Sequence, residues 1–466
     1  MYQIDFNTPV HIHFIGIGGI SMSGLAELLA QRGFTISGSD MKESSITRHL
    51  EEKGIQIAYG QRAENIVPGI DLVVYTAAIH PDNPEYAAAE AAGLPMMERA
   101  ALLGQIMGHY ANAIAVAGTH GKTTTTSMLS YVYLTAELDP TITVGGILPG
   151  IGGNLRIGQS EHFIMEACEY TNSFLHFKPT TALVLNVEED HMDFFKDLDD
   201  IRNSFTRFID LLPEDGLLVI NGEIPNHQPL YKDQTVKTVT YGIDGATPEN
   251  PYPYDYMAKD ITFDRMGRGQ YTLVVRGQEI GQLALGVTGM HNISNSLAVS
   301  AAALERGIDF DVLGKALLRY NGTDRRFQIK GERDGYVIID DYAHHPTEIR
   351  ATLTSARRCE HNQIWCVFQP HTYSRTRAFL DEFAEVLALA DKVVLTDIYA
   401  AREPDPGDIS SLDILRKLQE KGCEAYHFST FEEVEKFLLK KCTHGDLLIT
   451  MGAGDVVNIG ENLLRR

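Results

Sequence analysis

The sequence predicts an α/β protein of three domains, each built on a largely parallel sheet. Three observations carry this prediction. Residues 113–128, AIAVAGTHGKTTTTSM, read as a buried strand, a tight turn and a helix. Near the N-terminus, HIHFI followed by GIGGISMSGLAELLAQRG repeats that order. From Tyr336 onward, short apolar runs alternate with helical stretches. At 466 residues the chain exceeds one ordinary domain, and we place the divisions at 1–108, 109–322 and 323–466.

Composition narrows the class. A hydrophobic content of 44% is that of a globular protein. No uncharged apolar run reaches about 18 residues, so no membrane insertion is expected. MYQIDFNTPVHIHF has no basic region ahead of its apolar run, which argues against a signal peptide. Cys168, Cys359, Cys366, Cys423 and Cys442 show no CxxC spacing and read as reduced thiols of a cytoplasmic protein. The net charge of −22 opposes nonspecific binding to nucleic acid or anionic lipid. An anionic substrate therefore needs locally clustered Arg, Lys and His.

In the first segment, strands at His11–Ile15 and Thr35–Ser39 flank a glycine-rich turn and a helix, with Asp40 about 20 residues on. This is the opening of a Rossmann-like βαβ unit. Ser21 stands where a third glycine is expected, so nucleotide binding and close helix–strand packing explain the turn equally well. Further strands read at 71–76 and 94–97, with an alanine-rich helix at 87–92. A ligand belongs at the carboxyl ends of the strands, near Gly16, Gly18, Gly19, Ser21, Met22, Asp40 and the stretch from Thr76 to Asn83.

The middle segment opens on the Gly118-Thr119-His120-Gly121 turn. Backbone amides at a strand-to-helix turn, with the helix dipole behind them, form an anion site. Lys122 adds a charge for a β/γ-phosphate, and the hydroxyl of either Thr123 or Thr124 can reach Mg²⁺. Val116 replaces the first glycine of the full P-loop pattern. Strands at 162–167 and 181–187 end in Cys168-Glu169 and in EEDHMD, so Glu169 and His191 can hold Mg²⁺ beside the phosphate. A hairpin reads at 271–285 with its turn near Gly277, and a helix enters at Asn292 or Ser294, where Asn292 reads as a plain N-cap.

The last segment reads as a second doubly wound domain, with strands at 336–341, 364–369, 392–397, 424–428 and 447–451. Four polar clusters follow strand ends: DDYAHHPTE, QPHTYSRTR, DIYAAREPDPG and MGAGD. His344, His345, His371, Arg375 and Arg377 give that edge the positive charge the chain otherwise lacks. Asp340 reads as a residue that caps or pairs with a neighbour.

With these pieces in order, the chain resembles the Mur ligase family over nearly its whole length. The resemblance is carried by HFIGIGGISMSG, GTHGKTTTT, EACEYTNSFL, NVEEDHMD, GMHNISN, RRFQ, DDYAHHPTE, FQPHTYSRT and GAGD. It implies a Rossmann-like UDP-sugar domain, a central P-loop ATPase-like domain and a Rossmann-like amino-acid domain. The family pattern implies phosphate contacts from Gly118 to Thr124, metal ligation by Glu169 and His191, and nucleotide contacts from Asn292, Arg326 and Asp341. It implies a UDP-sugar contact from His120 and an acceptor site completed by His344, His345, Arg375 and Arg377. The motifs are those of the alanine-adding branch, so UDP-N-acetylmuramate, L-alanine, ATP and Mg²⁺ (or Mn²⁺) are the implied ligands, on a monomer or homodimer. The implied chemistry is amide formation through an acyl phosphate, with His344 or His345 taking the amine proton.

Two departures stand out. NSFTRFID holds no lysine where several relatives carry a carbamoylated one, and Thr372 stands where relatives of the branch often have Arg. The rival readings are a recycling ligase that attaches a tripeptide to the same sugar, a nicotinamide-dependent oxidoreductase, and a non-catalytic UDP-sugar binding module. The oxidoreductase leaves Lys122, Glu169 and His191 without a task.

Overall fold

A computed structural model describes residues 2–465 apart from Ala77, Asp193, Glu249 and Arg402. Ala77, Asp193 and Arg402 fall inside the 76–83, EEDHMD and DIYAAREPDPG stretches and lie outside the described residues. The chain divides into two compact units, residues 1–240 and 241–466.

The first unit opens with β1 (His11–Ile15), α1 (Ile20–Gln31), β2 (Thr35–Asp40), α2 (Ser45–Glu52), β3 (Gln56–Tyr59), β4 (Leu72–Tyr75), α3 (Pro84–Ala91), β5 (Met96–Glu98) and α4 (Arg99–Met107). The five strands form a parallel sheet in the order β3–β2–β1–β4–β5. The expected helix at 87–92 starts earlier because Asn83 caps it, accepting from the amides of Glu85 and Tyr86, with Pro84 in the first turn.

A second sheet follows: β6 (Asn112–Ala117), α5 (Lys122–Thr135), β7 (Thr141–Leu148), β8 (Gly153–Arg156), β9 (His162–Ala167), β10 (Thr181–Val184), α6 (Leu198–Ile209) and β11 (Leu217–Asn221). Its order is β11–β10–β6–β9–β7–β8, with β8 antiparallel. Strand β6 lies between β10 and β9, and Ala113 to Ala117 are fully buried. A strand covered on both faces carries a continuous apolar run, which is what made it legible. Strand β10 ends at Val184, short of the expected 187, because the chain turns out at Asn186 to meet the loop after β6.

After β12 (Lys237–Gly242), which runs across residue 240, the second unit carries β13 (Tyr256–Phe263), β14 (Arg268–Val275), β15 (Gln278–Thr288), α7 (Met290–Glu305) and α8 (Phe310–Arg319). Strands β13, β14 and β15 are an antiparallel meander, with the predicted turn at Gly277. Helix α7 starts at Met290 with Gly289 as its cap, so Asn292 is inside the first turn and is not the N-cap.

The last sheet comprises β16 (Gln328–Arg333), β17 (Tyr336–Asp341), β18 (Ile364–Phe368), β19 (Lys392–Leu395), β20 (Glu424–His427) and β21 (Leu447–Met451), in the order β16–β17–β21–β18–β19–β20. All but β16 run parallel. Helices α9 (Pro346–Ala356), α10 (Tyr373–Ala378), α11 (Leu380–Leu387), α12 (Ser411–Glu420), α13 (Phe431–Lys441) and α14 (Val457–Arg465) complete this doubly wound layer. Arg325 anchors its edge: the guanidinium donates to Asp340 Oδ2 (2.9 Å), to Gly454 O (3.0 Å) and to Gly452 O (2.6 Å). Asp340 is fully buried and accepts from Thr450 Oγ1 at 2.7 Å.

Removing one partner of a buried pair leaves an uncompensated charge, at a cost of about 3–5 kcal/mol. Arg325→Met should therefore lower the denaturant midpoint of the second unit. The fluorescence of Trp365, the only tryptophan in the chain and buried in β18, reports that transition. An unchanged midpoint would show that Asp340 does not need its cation.

Candidate active site

In the first unit the register of the second sheet aligns three loops. Ala117 pairs with Ala167 and with Val184, so the segments after β6, β9 and β10 leave one edge at one level. Gly118 (φ 149°) and Gly121 (φ 80°) take conformations that L side chains rarely adopt, which lets the turn fold under α5. The loop after β10 fixes its shape. The amide of His120 donates to Asn186 Oδ1 at 2.7 Å, Asn186 Nδ2 donates to His120 O at 3.1 Å, and the amide of Glu188 donates to Thr119 Oγ1 at 2.9 Å. Sequence reasoning passed over Asn186. Its signal was a polar residue directly after a buried strand.

Lys122 opens α5. Its ammonium donates to Gly118 O (2.6 Å), Thr119 O (3.1 Å) and Glu169 Oε2 (3.0 Å). Burial pulls its pKa down, but the charges of Glu169 and Glu166 outweigh burial and hold it above its ordinary value. Cys168 is pushed up to about 11 by burial and by Glu169, and so remains a thiol. His191, at positive φ (54°), places Nε2 4.0 Å from Glu169 Oε1, its ring against Tyr170 at 4.6 Å. Among the described residues there is no cluster of three or more His, Cys, Asp or Glu side chains able to hold a metal. Mg²⁺ needs only one or two protein ligands when water and phosphate oxygens complete its shell, so a carboxylate–imidazole pair fits it. The Thr123 hydroxyl donates to Glu166 Oε2 at 2.9 Å, which leaves its lone pairs for a cation, and the same carboxylate oxygen accepts from the amide of Gly145 at 2.8 Å.

The first sheet places the UDP-sugar candidates at its carboxyl edge. The amides of Gly16 and Ile17 donate to Ser39 O (2.8 and 2.9 Å), that of Gly18 to Asp40 Oδ2 (2.9 Å), and that of Gly19 to Gly16 O (3.2 Å). Asp40 thus holds the glycine turn. Ser21 Oγ accepts from Arg99 Nη1 at 3.0 Å. Met22 is buried at 1% exposure, so its side chain packs in the core and only its backbone faces the edge. Thr76 follows β4, and its hydroxyl accepts from the amide of Ala78 at 3.3 Å. Asn83 Nδ2 donates to Gln61 Oε1 at 2.6 Å. Beneath them His13, Ser39 and the buried Glu85 form one network, with Glu85 Oε1 2.6 Å from His13 Nε2 and Oε2 accepting from Ser39 Oγ at 2.6 Å.

In the second unit, Asn292 and Arg326 line one cavity of about 560 Å³, with Thr288, Asn321 and Phe327. Asn292 Nδ2 donates to Thr288 O at 2.7 Å and its Oδ1 accepts from Asn295 at 3.1 Å. Asp341 does not join them. It is buried, one oxygen accepts from the amide of Phe327 (2.8 Å) and the other from that of Ala343 (2.7 Å). Burial pushes Asp341 up to about 6 against the opposing charge of Arg326.

The pairing of Asp341, Phe368 and Leu395 with neighbouring strands brings the polar clusters after β17, β18, β19 and β21 to one edge. His344 and His371 stand there with ring centroids 5.7 Å apart, and Arg375 Nη1 is 3.3 Å from His371 Nδ1. Burial, with His344 and Arg375 nearby, pushes His371 down to about 4. Burial also lowers His344, although Glu348 opposes it. His344 Nδ1 lies 3.0 Å from Tyr342 O, an acceptor that fixes the proton there and leaves Nε2 as the basic atom. His345, the other histidine expected at the acceptor site, stands apart from these two. His345 caps α9, accepting from the amide of Thr347, and is buried against Phe379. Arg377 also departs from the cluster, since it is half exposed and paired with Asp408.

Family models match end to end: "Mur ligase family, catalytic domain" over residues 11–111, "Mur ligase middle domain" over 116–303, and "Mur ligase, glutamate ligase domain" over 325–454. The chain belongs to the Mur ligase family. It is 57% identical over 466 residues to a UDP-N-acetylmuramate--L-alanine ligase of Agathobacter rectalis, and 56% identical over 465 residues to one of Lachnospira eligens, covering 100% of each pair. A crystal structure of UDP-N-acetylmuramate-alanine ligase from Thermotoga maritima superposes with a TM-score of 0.81 at 30% identity, covering 98% of this chain and 99% of that one. A murein peptide ligase from Psychrobacter arcticus shares the fold at a TM-score of 0.69 and 24% identity, with 98% of each chain covered.

An imidazole held near 4 is neutral throughout the physiological range. Nitrogen-15 NMR of histidine-labelled protein should show His371 titrating at least a full unit below the ordinary value near 6.5. A midpoint near 6.5 would mean that His371 is solvated and not packed between His344 and Tyr399.

Proposed function

We propose that this protein is an ATP-dependent ligase that joins L-alanine to the carboxylate of UDP-N-acetylmuramate, releasing ADP and phosphate through an acyl-phosphate intermediate. Carrying this reading is the convergence of Lys122, Glu169 and His191 at one sheet edge. The full-length relatives named for that reaction support the substrates over the tripeptide alternative. Segments 1–108, 109–322 and 323–466 then serve the UDP-sugar, the nucleotide and the amino acid. No helix among the described residues is long and apolar enough to cross a membrane, and we place the reaction in the cytoplasm.

The first step brings a carboxylate to a polyphosphate, so charge neutralisation dominates its barrier. Lys122 supplies a permanent cation because its carboxylate neighbours keep it protonated. It exchanges part of its contact with Glu169 for phosphate oxygens. The amides from Gly118 to Thr124 and the α5 dipole add to the same field. Glu169 and His191 would hold Mg²⁺ or Mn²⁺, which when bound supplies Lewis-acid neutralisation of the phosphate oxygens. The cavity lined by Asn292, Asn321 and Arg326 takes the nucleotide base and ribose. Asp341 contributes by holding the segment from Arg326 to Phe327 in place.

The second step needs a neutral amine. His344 Nε2 accepts the proton of the L-alanine ammonium, and burial keeps it unprotonated and available. Arg375, set by His371, binds the amino-acid carboxylate. With Thr372 in place of a second arginine, that clamp rests on one guanidinium.

Lys122→Ala should reduce phosphate release with UDP-N-acetylmuramate and L-alanine below a tenth of wild type, and greater retention would overturn the phosphate-loop assignment. Arg375→Ala should raise KM for L-alanine by about tenfold or more, the loss expected for a charge-assisted contact, while KM for ATP stays within twofold. Equal effects on both would remove the amino-acid role. In the same assay L-alanine should support turnover and a tripeptide should not.

A further inference from the structure

We propose that Arg99 is the diphosphate clamp of the UDP-sugar site, supplying from across the sheet the fixed cation that the glycine turn lacks. This rests on the UDP-sugar reading of the first domain and extends it to a residue outside every motif singled out in the sequence.

The sheet order β3–β2–β1–β4–β5 reverses between β1 and β4. Ligands of open parallel sheets bind outside the carboxyl ends at that reversal. On the β1 side the turn has little left to offer an anion. The amides of Gly16, Ile17, Gly18 and Gly19 are all bonded internally, and the acceptor for Gly18 is the carboxylate of Asp40. The remaining donors are the first-turn amides of α1, at Ile20, Ser21 and Met22, which a helix leaves unpaired. The one cation between His11 and Asp40 is Arg32, at the far end of α1, bonded to Tyr110 at 2.9 Å.

Arg99 comes from the other side of the reversal. Tyr75 pairs with Glu98, so the residue after β5 leaves the sheet level with Thr76. From there the guanidinium crosses to α1 and donates from Nη1 to Ser21 Oγ at 3.0 Å. That one bond holds the guanidinium at the start of α1, on the carboxyl side of the sheet, and leaves most of its N–H groups unspent. Among the described residues it makes no ion pair, although the charge of the neighbouring Glu98 acts on it. Burial lowers its pKa, the mark of a cation taken from water without full compensation. A half-buried, unpaired guanidinium beside a helix N-terminus is complementary to a diphosphate, whose oxygens accept its fork in parallel.

The test is calorimetric titration of the full-length protein with UDP, UDP-N-acetylmuramate and ATP. Arg99→Gln should raise Kd for both uridine ligands by about tenfold or more, the range of a charge-assisted contact, with Kd for ATP within twofold. Arg99→Lys keeps the charge and loses the fork, so it should fall between the two and carries the test if the glutamine variant does not fold. Uridine ligands that bind either variant as they bind wild type would overturn the assignment. So would weakening confined to UDP-N-acetylmuramate, which would mean that Arg99 reads the sugar carboxylate, or equal weakening of ATP, which would mean a structural role. Wild-type protein that binds neither uridine ligand would overturn the substrate reading itself.

Discussion

The ion pair between Lys122 and Glu169, 3.0 Å apart and nearly excluded from water, is the constraint on which the first unit's chemistry depends. It joins the first residue of a helix to the end of a neighbouring strand, so it exists only if β6 and β9 are in register at their carboxyl ends. The small side chains of β6, the glycine conformations at 118 and 121, and the bonds from Asn186 all hold the turn beneath that ammonium. The same carboxylate that keeps Lys122 charged also faces His191. One buried group thereby keeps Lys122 charged and faces the imidazole of His191.

The second unit solves a related problem with neutral groups. Under the proposed function an amine would lose its proton beside Arg375, which calls for a base that is not itself charged. Burial, with the charges of Arg375 and Arg326 nearby, favours the neutral imidazole at His344, and the Tyr342 carbonyl selects its tautomer. Positive charge at this edge is carried by Arg375, and His344 stands beside it as a neutral imidazole.

Much of this was legible because it is written in periodicity and turn chemistry. The runs at 162–167, 336–341 and 447–451 appear as strands with the expected bounds, since strands covered on both faces leave no choice of residue type. Less legible were distinctions between adjacent residues of one type. His344 and His345 differ only in that Pro346 begins a helix, which makes His345 its cap. Arg375 and Arg377 lie two apart on α10 and so point to nearly opposite sides. Contacts across long stretches of chain, such as Asn186 to His120 or Arg99 to Ser21, leave no local trace at all.

Asp341 is a case in which one side chain mechanically joins two parts of the chain. Its two oxygens hold the amides of Phe327 and Ala343, one in the connection that enters the last sheet and one in the loop that carries His344. Arg325 and Phe327 on that connection are both at positive φ, and Arg325 O accepts from the amide of Tyr342. Any rotation of the connection is therefore delivered to the histidine through bonds too short to absorb it. The position of His344 and the path of the chain into its domain cannot change independently.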